Sequence, residues 1–111
     1  MTENTPVTID GGYRLPSNST LQHAVKLSVI EDKPIMMDYW TTSIDKKSII
    51  GISGTNVRYL MRSEEEYTSS ICKFYQVGNE FIVATENSLY IIDHNILRKK
   101  IIASKDKLKI L

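Results

Sequence analysis

The sequence has little cysteine, little proline and glycine, no excess of charge of one sign and no long apolar run. Cys72 is the single cysteine, which excludes an intramolecular disulfide and every multi-cysteine zinc site and suits a reducing compartment. The 14 basic and 13 acidic residues nearly balance, so the overall charge does not favour nucleic acid or an anionic membrane. The apolar runs are too short to cross a bilayer, and the first residues lack the pattern of a secretory signal. We therefore expect a soluble protein of the cytoplasm or nucleus.

The length and composition predict one globular domain with a segment at either end. A chain of 111 residues is long enough to bury a core without disulfides or a structural metal. Residues 1–18 are polar and rich in turn formers, which predicts a flexible N-terminal arm. Residues 19–97 form the expected β-rich domain. Residues 98–111 form a basic C-terminal tail, and its interleaved apolar residues leave open a free tail or a terminal strand or helix packed on the domain.

One helix is expected directly after the arm, at about residues 20–31. Apolar or small residues recur there at helical spacing, which defines the face expected to be buried. These residues are Leu21, Ala24, Val25 and Ser28. Pro34 agrees with the end of the helix, because the residue before a proline disfavours the α region.

The remainder of the domain reads as short strands rich in β-branched and aromatic residues. The runs are PIMMDYWTT, KSIIGIS, VRYLMRS, ICKFYQV, EFIVATE and SLYIID. Turn signals separate them, and Gly78-Asn79 suits a type II′ hairpin turn because glycine comes first. The pattern predicts a mainly β (α+β) fold, a small SH3-like barrel or a β-roll of five to six short antiparallel strands with one N-terminal helix. The barrel is narrowly favoured.

The last three strands, within residues 75–93, form a predicted meander with two apolar faces. Alternation places Phe81 and Val83 on one face and Ile82 on the other. Two apolar faces imply that the helix or a partner protein covers the outside. The polar residues Glu80 and Asp93 fall at strand ends, where we expect turns and solvent to accommodate them.

No residue is assigned to catalysis, to a metal or to a cofactor. Cys72 with His23 or His94 as base and Asp93 as orienting carboxylate is the minimum set for covalent catalysis. A free cysteine in an apolar strand is more often a small buried hydrophobic residue, and both histidines suit the surface, so we favour that interpretation. Adjacent strand residues point to opposite faces, so Asp93 and His94 are poorly placed to share an ion. No small-molecule substrate is indicated.

The first functional hypothesis is a non-enzymatic protein-interaction or structural module that self-associates or binds a protein partner. Tyr39 and Trp40, near the end of a predicted strand, are the candidate partner-binding residues. They are equally well explained as core residues or as the aromatic anchor of a binding groove.

The alternative hypothesis is a nucleic-acid-binding small barrel that uses the basic tail. Lysine and arginine residues of the tail and of one strand are the candidates, since nucleic-acid binding requires a basic patch. They are Arg58, Arg62, Arg98, Lys99, Lys100, Lys105, Lys107 and Lys109. The even balance of total charge weighs against this alternative.

Three segments carry a resemblance to a known group of proteins. EDKPIMMDYWTTSIDKKSIIGI, followed by RSEEEYTSSI and TENSLYIID, resembles small uncharacterised proteins of large eukaryotic DNA viruses. The resemblance covers residues 20–93 and contains no defining motif or catalytic residue. It implies a virion component or a factor that acts in the infected cell.

Overall fold

The computed structural model describes residues 14–111, which contain two helices and nine strands. The helices are α1 (Asn18–Glu31) and α2 (Trp40–Ile44). The strands are β1 (Ile35–Met36), β2 (Ile49–Ile52), β3 (Arg58–Met61), β4 (Tyr67–Ser70), β5 (Lys73–Val77), β6 (Glu80–Ala84), β7 (Leu89–Asp93), β8 (Leu97–Ser104) and β9 (Lys107–Ile110). Most of the predicted arm lies outside the described residues.

The strands form a four-stranded sheet in the order β1-β7-β6-β5 and a five-stranded sheet in the order β4-β3-β2-β8-β9. The prediction of a mainly β protein with one N-terminal helix is confirmed. The predicted number of strands and their uniformly antiparallel pairing are wrong, because β1 pairs parallel with β7 and β2 pairs parallel with β8. Parallel neighbours lie far apart in sequence, so no local turn signal specifies them. The SH3-like arrangement stays a prediction.

The predicted meander is the centre of the four-stranded sheet. Strands β5, β6 and β7 pair antiparallel in sequence order. Gly78 has φ +57°, which a type II′ turn requires at its first central residue. Both helices pack on one face of this sheet, and the five-stranded sheet packs on the other. Its two apolar faces are therefore covered by the chain itself.

The first strand assignment of the sequence, PIMMDYWTT, is wrong beyond Met36, because α2 follows. The aromatic and β-branched residues there favour a strand, but tertiary contacts override that preference. The hydroxyl of Ser43 donates to the carbonyl of Trp40 at 2.6 Å and accepts from the backbone N–H of Asp93 at 2.9 Å. This buried hydroxyl fastens α2 to the end of β7.

The basic tail is an integral part of the five-stranded sheet. Strand β8 pairs with β2 along its first half and with β9 along its second half. The sheet curls into a half-barrel, because the two margins approach each other: Tyr67 donates to the carbonyl of Asp106 at 3.1 Å, and the N–H of Ile110 donates to Glu64 at 2.8 Å. The concave side holds a small core of its own, formed by Ile49, Met61, Ile101 and Leu108.

Candidate functional site

Tyr39 and Trp40 are both core residues, with 5% and 4% of their surface exposed. The Tyr39 ring packs between the sheets, edge-on to Tyr90 with ring centroids 5.7 Å apart, and Trp40 packs under α1. The indole N–H donates to the carbonyl of Arg14 at 2.9 Å. Of the two interpretations left open by the sequence, their burial favours the core over a surface anchor for a partner.

Glu80 and Asp93 are buried, so the expectation that solvent accommodates these carboxylates is wrong. They are cross-strand partners on β6 and β7, both 5% exposed, on the face that α1 covers. The Arg14 guanidinium pairs with both, and Thr20 donates its hydroxyl to Glu80. Arg14 also lies over the Trp40 ring, 4.9 Å from its centre. This cluster fastens the end of the predicted arm to the sheet.

The residues of the minimal catalytic set do not form a site. Cys72 is exposed, which corrects the expectation of a buried thiol, because it lies in the link between β4 and β5 at the edges of both sheets. His23 bonds to the carbonyl of Ser19 on α1, and His94 packs on Phe81. Asp93 accepts from Arg14 and from the N–H of Asn95 at 3.0 Å.

The structure divides the eight candidate basic residues into separate groups. Strand register and alternation place five of them on the convex face of the five-stranded sheet. These are Arg58, Arg98, Lys100, Lys107 and Lys109. Lys99 points to the other face of β8, and Lys105 lies in the β8–β9 turn with φ +37°.

Arg62 is already neutralised and therefore separate from the convex group. Its guanidinium pairs with Glu66 at 3.2 Å and with Asp38 at 3.6 Å, and it covers the Tyr39 ring at 4.6 Å from the ring centre. An arginine with two carboxylates has little charge left for a phosphate. Its role is to close the core above Tyr39.

A groove opens where the convex face of the five-stranded sheet meets β5 and β6 of the four-stranded sheet. Its volume is about 280 Å³. Its lining is formed by Ile50, Ile52, Arg58, Phe74, Phe81 and Arg98, and we call it the Arg–Phe groove.

The two arginines of the Arg–Phe groove lie over its two aromatic rings. The Arg58 guanidinium is 5.6 Å from the centre of Phe74, and that of Arg98 is 5.7 Å from the centre of Phe81. The two rings meet edge-on at 5.7 Å, and His94 extends the aromatic surface at 5.2 Å from Phe81. The distances from the two guanidinium groups to their rings, 5.6 and 5.7 Å, are within the range of cation–π contacts.

Within residues 14–111, neither arginine of the groove pairs with a carboxylate. Among the described residues, the side chain of Arg98 donates to the carbonyl of Ile96 at 3.3 Å and makes no other hydrogen bond, and that of Arg58 makes its cation–π contact and no hydrogen bond. Lys107 and Lys109 differ, because they share a depression with Glu64 and Glu65. Within the convex group, the cations that have no carboxylate beside them in the described part of the chain are therefore the two arginines of the groove and the adjacent Lys100.

Sequence reasoning found Arg58 and Arg98 and missed the aromatic half of the groove. The sequence indicates Phe74 and Phe81 only as strand residues, and His94 only as a surface residue or as a candidate base for Cys72. The signal that was available is the alternation that sets Phe74 and Phe81 on the same side of two antiparallel neighbours. That this side meets two arginines depends on the packing of one sheet on the other.

A second exposed feature lies on α1. The face predicted to be buried is partly wrong, because Ala24 is buried but Val25 is 54% exposed. Val29 and Ile30 are 77% and 78% exposed. We call Val25, Val29 and Ile30 the α1 apolar surface. The helix turns Thr20 and Ala24 inward, because Thr20 bonds to the buried Glu80.

The fold places the chain among small mainly β proteins with an N-terminal helix. Comparison with protein-family models, curated proteins and solved structures found no significant match. Between residues 14 and 111, no group of three or more metal-ligating side chains converges. No helix in the same range is long and apolar enough to span a membrane.

Proposed function

We propose that the protein is a non-enzymatic interaction module that self-associates through the α1 apolar surface. The observation that carries the proposal is the exposure of Val29 and Ile30, at 77% and 78%, beside a half-exposed Val25. Water contact with three β-branched side chains on neighbouring helical turns is unfavourable, and removing it on association stabilises the complex.

A second copy of the chain suits this surface. In an antiparallel pairing of two α1 helices about a two-fold axis, Val25 of one copy faces Val29 of the other. The same register sets the exposed amide of Gln22 opposite the exposed carboxylate of Asp32. Such a surface is complementary to itself, which a two-fold interface requires.

Size-exclusion chromatography with light scattering tests the proposal. The wild type is expected to form dimers whose fraction rises with concentration, and Val25→Lys/Val29→Lys is expected to be monomeric. Lysine has good helix propensity, and it repels its counterpart across the two-fold axis. The double variant therefore keeps its fold while losing the interface.

Leu111→Lys is the control for an added lysine, because it changes a leucine that is 71% exposed and directly follows β9, outside α1. It is expected to dimerise as the wild type does. A wild type that stays monomeric at the highest attainable concentration would refute self-association. So would a double variant that still dimerises normally.

The place of action, in the cytoplasm or nucleus, is part of the same proposal. The single cysteine suits the cytoplasm or nucleus. The resemblance to viral proteins adds a virion or an infected cell as the place of action. We also propose that the half-barrel is related in arrangement to an SH3-like barrel.

A further inference from the structure

The Arg–Phe groove holds two cations without anionic partners among the described residues. A guanidinium that lies over an aromatic ring without pairing with a carboxylate can still donate from its N–H edge and present its outer face to another group. Each arginine of the groove can therefore donate to an anion while a second flat group stacks on it. An arginine that only supported the fold would be expected to pair with a carboxylate, as Arg14 does with Glu80 and Asp93.

Lys100 extends the positive charge along the sheet. Ile52 is the direct neighbour of Arg58 on β3 and of Lys100 on β8. Since neighbouring strands are about 4.8 Å apart, these two cations flank Ile52 across roughly 10 Å. The cations form a row, which suits a ligand with repeated anionic groups.

We propose that the Arg–Phe groove binds single-stranded nucleic acid. Phosphates bind Arg58, Arg98 and Lys100, and unstacked bases stack on the guanidinium planes and on the Phe74–Phe81 edge. This inference does not depend on self-association through α1.

Two observations favour this ligand over others. An acidic peptide supplies charge but no aromatic plane to stack on the guanidinium groups, whereas a nucleotide supplies both. Duplex DNA is most often read by a basic helix in its major groove, and α2 contains no basic residue while α1 contains only Lys26 and His23. Stacking on exposed planes requires bases that are already unpaired.

Fluorescence anisotropy of a labelled oligothymidylate with the full chain tests the proposal at about 50 mM and 200 mM salt. Arg58→Gln/Arg98→Gln removes two phosphate contacts, so the slope of log affinity against log salt is expected to fall by about 1.4. Arg58→Lys/Arg98→Lys keeps the charge and removes the planes, so affinity is expected to fall about fivefold or more with little change of slope.

Lys47→Gln/Lys99→Gln is the matched control, because it removes the same charge from exposed positions outside the groove. It is expected to bind within about twofold of the wild type at 200 mM salt, where distant charges are screened. Thermal unfolding confirms that each variant is folded.

Three results would overturn the inference. The first is the absence of binding at low salt, and the second is wild-type affinity in the arginine-to-lysine variant. The third is that oligoglutamate competes as well as unlabelled oligothymidylate, which would assign the groove to an acidic protein. The arginine variants are expected to keep the oligomeric state of the wild type, so failure here is distinguishable from failure of the α1 proposal.

Discussion

Tyr39 is expected to make the free energy of unfolding decrease at alkaline pH. Burial is the main cause that raises the pKa of Tyr39 from 10.0 to about 12, while the Arg62 guanidinium over its ring opposes that rise. Between those two values, the folded state keeps a proton that the unfolded chain loses. The stabilisation is therefore complete below pH 10 and is lost as the pH rises towards 12.

Urea unfolding across that pH range checks this prediction. The midpoint of the wild type is expected to fall more steeply than that of Tyr39→Phe, which has no proton to lose. Part of the fall remains in the variant, because burial also raises the pKa of Tyr90. Parallel curves for the two proteins would contradict the assignment.

At the residue scale, the sequence predicts that α1 is amphipathic but does not predict which of its residues face the core. Ala24 and Val25 are adjacent, and hydrophobicity alone favours burying the valine. The helix instead turns Ala24 inward, because Thr20 on the same face reaches the carboxylate of Glu80. A bond between residues 60 positions apart has no local signature.

At the scale of the element, β2 approaches the concave core so closely at Gly51 that no side chain fits there. A Cβ atom there would lie 2.5 Å from the sulfur of Met61 and 2.9 Å from a methyl of Ile101, both of them buried in the concave core. Gly51→Ala is therefore expected to destabilise the protein by about 1–3 kcal/mol, as overpacking of a core does. Denaturant unfolding measures the difference.

Gly54→Ala provides the comparison for Gly51→Ala. Nothing lies within 4 Å of a Cβ at Gly54, and its φ is not positive. That variant is expected to be neutral or up to about 1 kcal/mol more stable, because alanine restricts the unfolded chain. Equal effects of the two substitutions would show that the close approach of β2 to Met61 does not limit the side chain at position 51.

Elements with local signals were predictable, and those formed by distant contacts were not. The helix was expected at about 20–31 and occupies Asn18–Glu31, since a cap at Ser17 and an end near Pro34 are encoded nearby. The meander followed from its turns. Strand β4 and helix α2 were missed, because their residues are positioned by partners from other parts of the chain.

At the scale of the whole molecule, the two sheets are expected to unfold together. Tyr39 packs between the sheets while its neighbour Trp40 packs under α1, so the two cores share one stretch of backbone. The link through Cys72 likewise joins both sheets. The backbone N–H of Ile71 donates to the carbonyl of Arg58, and that of Cys72 donates to the carbonyl of Ala84, each at 2.7 Å.

Fluorescence of Trp40, the single tryptophan, and far-ultraviolet circular dichroism provide two probes of that unfolding. Their urea transitions are expected to coincide, with a slope of about 1–3 kcal/mol/M. Fluorescence that changes at a lower urea concentration than the dichroism would show that α1 and the four-stranded sheet unfold separately.

The Arg–Phe groove depends on the packing of one sheet on the other, which the sequence does not predict. Its two arginines, Arg58 and Arg98, are predictable candidates because a basic residue is evident from the sequence alone. Their aromatic partners come from β5 and β6, and the contact requires one sheet to lie on the other. No periodicity within a strand encodes that arrangement.

The parallel pairing of β2 with β8 has a consequence for the newborn chain. Ile49–Ile52 are synthesised before their partners, Leu97–Lys100, and can pair with them only once these have been made. Until then one edge of β2 has unpaired backbone groups beside the apolar Ile50 and Ile52, which is a template for pairing with another chain. A nascent chain that stalls before Leu97 is therefore expected to expose an unpaired apolar strand edge to other chains.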